Sequence, residues 1–122
     1  MDLAKELETS ADEAKLRSSI SRAYYASYCR ARNYMEDVCR NKLPSNTSVH
    51  KYVIDYYNGK HGGRTNHRRS QIAENLKRMK SQRIMADYYN NGVYQIKALH
   101  DTAQFVIELS DDIIIVIGAG GL

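Results

Sequence analysis

The chain has no tryptophan, a single proline (Pro44), and few glycines outside three places. So little punctuation over 122 residues argues against many short strands joined by turns and favours long helices. Its two cysteines, Cys29 and Cys39, lack the C-x-x-C spacing of a metal or redox motif, and no histidine is arranged around them. They are expected to be reduced, partly buried thiols of a reducing compartment. No apolar run reaches the ~18–20 residues that span a bilayer. Met1–Ser10 is polar and helix-like rather than a secretory signal, so the expected location is cytoplasmic, with no membrane partner. Cations are missing altogether after Lys97, where Asp101, Glu108, Asp111 and Asp112 follow.

What is present fits one soluble globular domain: 43% hydrophobic and 26% charged residues in a chain long enough for a single core. The net charge of +4 is unevenly placed. From residue 60 to residue 83 there are eight cations (Lys60, Arg64, Arg68, Arg69, Lys77, Arg78, Lys80 and Arg83) against Glu74 alone. That segment therefore carries +7 and leaves −3 for the rest. A basic segment of this kind suggests a polyanion such as RNA; its plainer meaning is a solvated helix face and a loop.

Helical periodicity organises the chain. Ser10 and Glu13 form a capping box, and the spacing predicts an uninterrupted helix over residues 11–40, about 45 Å long. Leu16, Ile20, Ala23, Tyr24, Ser27, Ala31, Tyr34, Met35 and Val38 share its apolar face. Pro44 lies in the turn that follows. A second helix is expected from Val49 to about Asn58, with Val49, Tyr52, Val53, Tyr56 and Tyr57 inward and Asn58-Gly59 as its stop. Residues 60–66 form a glycine-containing loop, and Arg68 to Tyr88 a third helix. A break at Tyr89-Asn90-Asn91-Gly92 precedes a last helix from Val93. Its phase runs through Ile96, Leu99, Ala103, Val106, Ile113 and Ile117, with Gly118 the stop. The five β-branched residues Ile113–Ile117 favour a strand by propensity, but their phase continues the helix. Outward-facing Ile114 and Ile115 would then mark a subunit contact, and residues 118–122 a flexible tail after a single domain of residues 1–117. The expected fold is all-α, an up-and-down bundle of four to five helices.

One residue breaks the pattern. The stripe of the third helix is Ile72, Leu76, Met79, then Arg83, then Ala86, so a guanidinium occupies a core position. An unpaired buried charge is costly. Asp87, one turn on, can accept its hydrogen bonds, which leaves two readings: an internal pair that pins helix register, or a cation lining a cleft with Tyr88 beside it. Arg22, next to Tyr25 on the first helix, is open to the same pair of readings. Tyr24, Tyr25, Tyr28 and Tyr34 are either core aromatics or the lining of a cleft between helices. His61 and His67 have only Asp55 as a nearby carboxylate, too little for a metal site.

Ser21–Met35, S-R-A-Y-Y-A-S-Y-C-R-A-R-N-Y-M, together with R-I-M-A-D-Y at Arg83–Tyr88, resembles the HEPN superfamily (higher eukaryotes and prokaryotes nucleotide-binding domains). The likeness is to a prokaryotic branch carrying S-R-A-Y-Y-A and R-x-x-A-D-Y motifs. It implies a four- or five-helix bundle that dimerises. It also implies activity as a metal-independent ribonuclease of toxin–antitoxin or defence systems, often paired with a nucleotidyltransferase, with no cofactor. On that map Arg83, Asp87 and Tyr88 are the catalytic candidates. Arg22, Tyr25, Arg64, Arg68, Arg69, Arg78, Lys80 and Tyr89 are the candidates for holding RNA or nucleotide. Tyr88 stands where the family has histidine, and a phenol of pKa about 10 is a poor base at neutral pH. A helper base would have to come from His50, His61 or His67, each expected first as a surface residue. The alternatives are a non-catalytic module that pairs with a nucleotidyltransferase, or a degenerate dimeric scaffold of a mobile element.

Overall fold

The structure, a computed structural model, describes the backbone of residues 3–64, 66–88, 96–119 and 122, and the side chains of residues 12–64, 66–86, 98–119 and 122. Four α-helices make up the described chain: α1 (Leu3–Asn33), α2 (Val49–Tyr57), α3 (His67–Tyr88) and α4 (Ile96–Ala119). Among the described residues there is no strand, and the molecule is an all-α helical bundle. Helix α1 packs most extensively on α4 and next on α3; α2 rests mainly on α3. One hydrophobic cluster takes residues from all four helices, among them Ile20, Met35, Val53, Leu76, Leu99 and Ile113. No described helix is long and apolar enough to cross a membrane.

The expected start of α1 at Ser10 is corrected. The helix begins at Leu3 and passes through Ser10 without a break. Residues 3–10 contain no glycine or proline, so the turn that leads into the capping box simply continues. Glu13, instead of reaching back, pairs forward with Arg17 Nη1 at 3.6 Å.

The far end of α1 also departs from the expected pattern. Residues Tyr34–Val38 wind as a π-helical turn, and Cys39 N–H donates to the Tyr34 carbonyl at 3.1 Å, five residues back. The extra residue in this turn rotates everything after Met35. Met35 is fully buried, but Val38, expected inward, is 62% exposed. Arg40, expected in the helix, takes a left-handed φ of 60°.

Helix α2 starts after Ser48, whose extended backbone fits a cap although its hydroxyl makes no capping bond. Val49 falls on its rim and is exposed, whereas Tyr52, Val53, Tyr56 and Tyr57 face inward as expected. Gly59 follows with φ 90°, the left-handed turn that an L side chain resists. Gly63 is needed for closeness rather than for φ: a Cβ there would lie 2.3 Å from the Tyr56 carbonyl oxygen. Asn66 Oδ1 accepts from Arg69 N–H at 2.8 Å and caps the start of α3.

Helix α4 settles the ambiguity of residues 113–117 in favour of helix. Ile113 and Ile117 are buried, while Ile114 and Ile115 are 39% and 65% exposed. Packing against α1 and α3 outweighs the β-propensity of the run. Gly118 lies inside the helix, which ends at Ala119, and Leu122 packs against the core. The expected break at residues 89–92 and the start at Val93 lie outside the described residues. On the α1–α4 seam the Ser27 and Ser110 hydroxyls meet at 2.7 Å, with the Ala23 carbonyl within reach of both.

Candidate functional site

The stripe of α3 is as the spacing predicts. Ile72, Leu76, Met79 and Ala86 are each at most 1% exposed, and Arg83 stands in their row, half-buried. The guanidinium of Arg83 lies over two aromatic faces of α1, 4.9 Å from the Tyr25 ring centre and 5.5 Å from that of Tyr24. The negative faces of the rings receive the cation that the helix phase turns inward. No described carboxylate pairs with it. Asp87 and Tyr88 belong to α3 by their backbone, but their side chains, and all of Tyr89, lie outside the described residues. The Arg83–Asp87 pair is therefore not on view.

Helix α3 is tied to α1 just beyond this point. Arg17 Nε donates to the Ala86 carbonyl at 3.1 Å. A cation is favoured beside the carbonyls of a helix's last turn. The tie holds the end of α3, and with it Arg83, against Tyr24 and Tyr25.

The third contributor is His50, from the first turn of α2. Its ring stacks on Tyr24 at 5.4 Å, lies tilted against Tyr28 at 4.4 Å, and meets Tyr25 edge-on at 6.2 Å. The Tyr24 hydroxyl and His50 Nδ1 are 2.5 Å apart. Burial pushes the Tyr24 phenol up to about 12, against the pull of Arg83, so it keeps its proton. Burial first, then the nearby cations Lys80 and Arg83, lower the pKa of His50 below its ordinary value, so the imidazole is neutral at pH 7. A protonated phenol with no other described partner must donate. His50 Nδ1 therefore accepts, and the ring proton sits on Nε2. The lone pair a general base would use is already taken by Tyr24.

The site is thus an aromatic surface built from α1, with a guanidinium from α3 on one side and a neutral imidazole from α2 within it. Tyr25 is 45% exposed, so part of this surface is open. Such a set can stack a base and hold an anion. Among the described residues there is no cluster of histidine, cysteine and acidic groups able to hold a metal.

Of the remaining candidates, Lys80 joins the site, half-buried and close enough to His50 to act on its charge. Arg22 and Arg64 are exposed, with no described hydrogen bond or ion pair. Arg78 is an exposed partner of Glu74 at 3.3 Å. Arg68, fifteen residues before Arg83 on one helix, is about 22 Å away along the axis. The basic segment therefore does not converge on one place.

Arg69 is corrected outright, since at 3% exposure it cannot hold a surface ligand. Its guanidinium lies over the Tyr56 and Tyr57 rings at 5.6 and 5.9 Å. It donates to the Tyr56 hydroxyl, the Cys39 sulfur and the Leu122 carbonyl at 3.4–3.6 Å. Cys29 and Cys39 are both free thiols.

His50 is the residue that surface placement missed. The signal was available, because His50, Val53 and Tyr57 follow the i, i+3, i+7 spacing of the inward face of α2. In comparisons with known proteins the chain matches no family model, no curated protein and no solved structure.

Proposed function

We propose that this chain is a HEPN-like protein of the toxin or defence type that binds single-stranded RNA through Arg83, Tyr25, His50 and Lys80. The observation that carries the proposal is the Arg83 guanidinium held over Tyr24 and Tyr25 while Tyr25 stays 45% exposed. A cation beside an open aromatic face is the pairing that single strands require: phosphate on the charge, base on the ring. Cleavage without metal would add a base for the 2′-hydroxyl, and the donated bond from Tyr24 occupies the nitrogen of His50 that would serve. The arrangement therefore supports binding ahead of ribonuclease action. A nucleotidyltransferase partner and a degenerate scaffold remain the alternatives in the absence of RNA affinity.

A second copy of the chain belongs to this proposal. Ile107, Ile114 and Ile115 expose 39–65% of their surface on α4 and offer an apolar contact for it.

The test is fluorescence anisotropy with a short labelled single-stranded RNA, followed by a gel of the same mixture. Arg83→Ala and Tyr25→Ala are each expected to weaken binding about tenfold, within the range for losing one stacked or charged contact, and the RNA stays intact. Equal binding by all three proteins, or none, removes the proposal. RNA cut by the wild type and spared by Arg83→Ala reinstates the ribonuclease.

A further inference from the structure

Asn75 is the polar residue of the core for which the fold offers no account. It lies on the flank of α3 that meets α4, it is 7% exposed, and no described residue hydrogen-bonds its amide. A buried amide left without partners costs stability and asks for an explanation. This amide is open rather than sealed, because Asn75 lines a cavity of about 170 Å³ between α3 and α4. A cavity of about 150 Å³ takes a benzene ring, so this one has room for an aliphatic side chain.

The rest of the lining divides by chemistry. Ile72 from α3 and Ile113 and Val116 from α4 supply hydrocarbon. Arg68, two turns before Asn75 on the same flank, and Asp112 on α4 supply one charge of each sign. Both are exposed, and neither makes a described hydrogen bond or ion pair, with the other or with any third residue. The amide itself offers a donor and an acceptor. A simple anion placed here would face Asp112, and a simple cation would face Arg68. A ligand that carries both charges on a short aliphatic body answers every group at once.

We infer that this cavity binds a small zwitterion, an aliphatic α-amino acid of about the size of leucine. Arg68 and the Asn75 amide nitrogen donate to its carboxylate. Its ammonium donates to Asp112 and to the Asn75 amide oxygen, and its side chain lies on Ile72, Ile113 and Val116. The site is separate from the one around Arg83, which turns toward α1 about 12 Å further along α3.

The test is isothermal titration of the full chain with L-leucine, with 4-methylpentanoate, which lacks the ammonium, and with isoamylamine, which lacks the carboxylate. Each analogue is expected to bind about tenfold more weakly than leucine, the value of a hydrogen-bonded charge. Arg68→Gln narrows the gap between leucine and isoamylamine to about twofold and keeps the gap to 4-methylpentanoate; Asp112→Asn does the converse. Asn75→Leu abolishes leucine binding and raises the urea midpoint of the unliganded protein, because it removes a buried amide that only the ligand satisfies.

No binding of leucine at millimolar concentration overturns the inference, and so does leucine bound no better than both analogues. Unchanged selectivity in Arg68→Gln and Asp112→Asn overturns it as well. An Asn75→Leu protein that unfolds at lower urea than wild type marks a structural amide and counts against the site. Adenosine monophosphate bound more tightly than leucine, and more tightly still by Asp112→Asn, assigns the cavity to a nucleotide instead. Ile115 borders the cavity and belongs to the contact proposed for a second copy. Leucine binding that disappears as the protein is concentrated into a dimer therefore means that the second copy fills the space, which also overturns the inference.

Discussion

At the scale of single residues, two arginines in one helix show what phase can and cannot decide. Arg83 and Arg69 both lie on the inward stripe of α3, fourteen residues apart, and both end over pairs of tyrosine rings. The spacing argument that singles out Arg83 applies equally to Arg69, three residues before Ile72. Charge counting hid it by placing it in the basic segment. The difference between the two is cover: Arg69 is 3% exposed and spends its nitrogens on acceptors within the fold, whereas Arg83 keeps an open side. His50 gives a measurable sign at this scale. Its folded-state pKa lies below the ordinary 6.5 because it is buried and faces Lys80 and Arg83. As pH falls through 6.5 the unfolded chain takes up a proton that the folded chain refuses, so stability present above that pH is lost below it. Urea midpoints should fall between about pH 7.5 and about pH 5.5, and His50→Gln should flatten that fall.

At the scale of elements, the turn Tyr34–Val38 decides which residues count as core. In a regular helix Val38 would share a face with Ala31 and Met35; here it is 62% exposed while Met35 is fully buried. Met35→Ala should cost about 2–5 kcal/mol in urea unfolding. Val38→Glu should stay within about 0.5 kcal/mol. Comparable losses for the two would mean that the helix winds regularly. The third and fourth helices were legible because a long 3.6-residue period survives a few polar intrusions, and phase correctly outweighed propensity at residues 113–117. The start of α1 was not legible, since Ser10 and Glu13 have cap chemistry but nothing stops the preceding turn. A π turn has no sequence signal of its own, so its effect on Val38 could not be foreseen.

At the scale of the whole molecule, the unequal distribution of charge does not make one patch. Helix α3 spreads its cations along about 22 Å, burying Arg69 and pairing Arg78 with Glu74. The candidate site was legible from α3, where a cation interrupts the stripe. It was not legible from α2, because a histidine near a helix start looks like a surface residue until the tyrosines of α1 are placed beside it. The outer flank of α4 has its own test. Ile115→Asp should convert a dimer to a monomer in size-exclusion chromatography with light scattering, leaving the urea midpoint within about 0.5 kcal/mol. A monomeric wild type, or a variant still dimeric, would move the contact elsewhere or remove it.

The two hydroxyls that meet between α1 and α4 have a consequence for how many ways this bundle can close. Hydrocarbon against hydrocarbon is nearly indifferent to a slide of one helical repeat, about 5.4 Å, because a new leucine or isoleucine arrives where the last one left. Ser110 is not indifferent: such a slide takes its hydroxyl from both Ser27 and the Ala23 carbonyl, its partners across the seam, whereas Ser27 keeps Ala23, four residues back on its own helix. The seam is therefore keyed, and among its near-equivalent settings the chain is left with one.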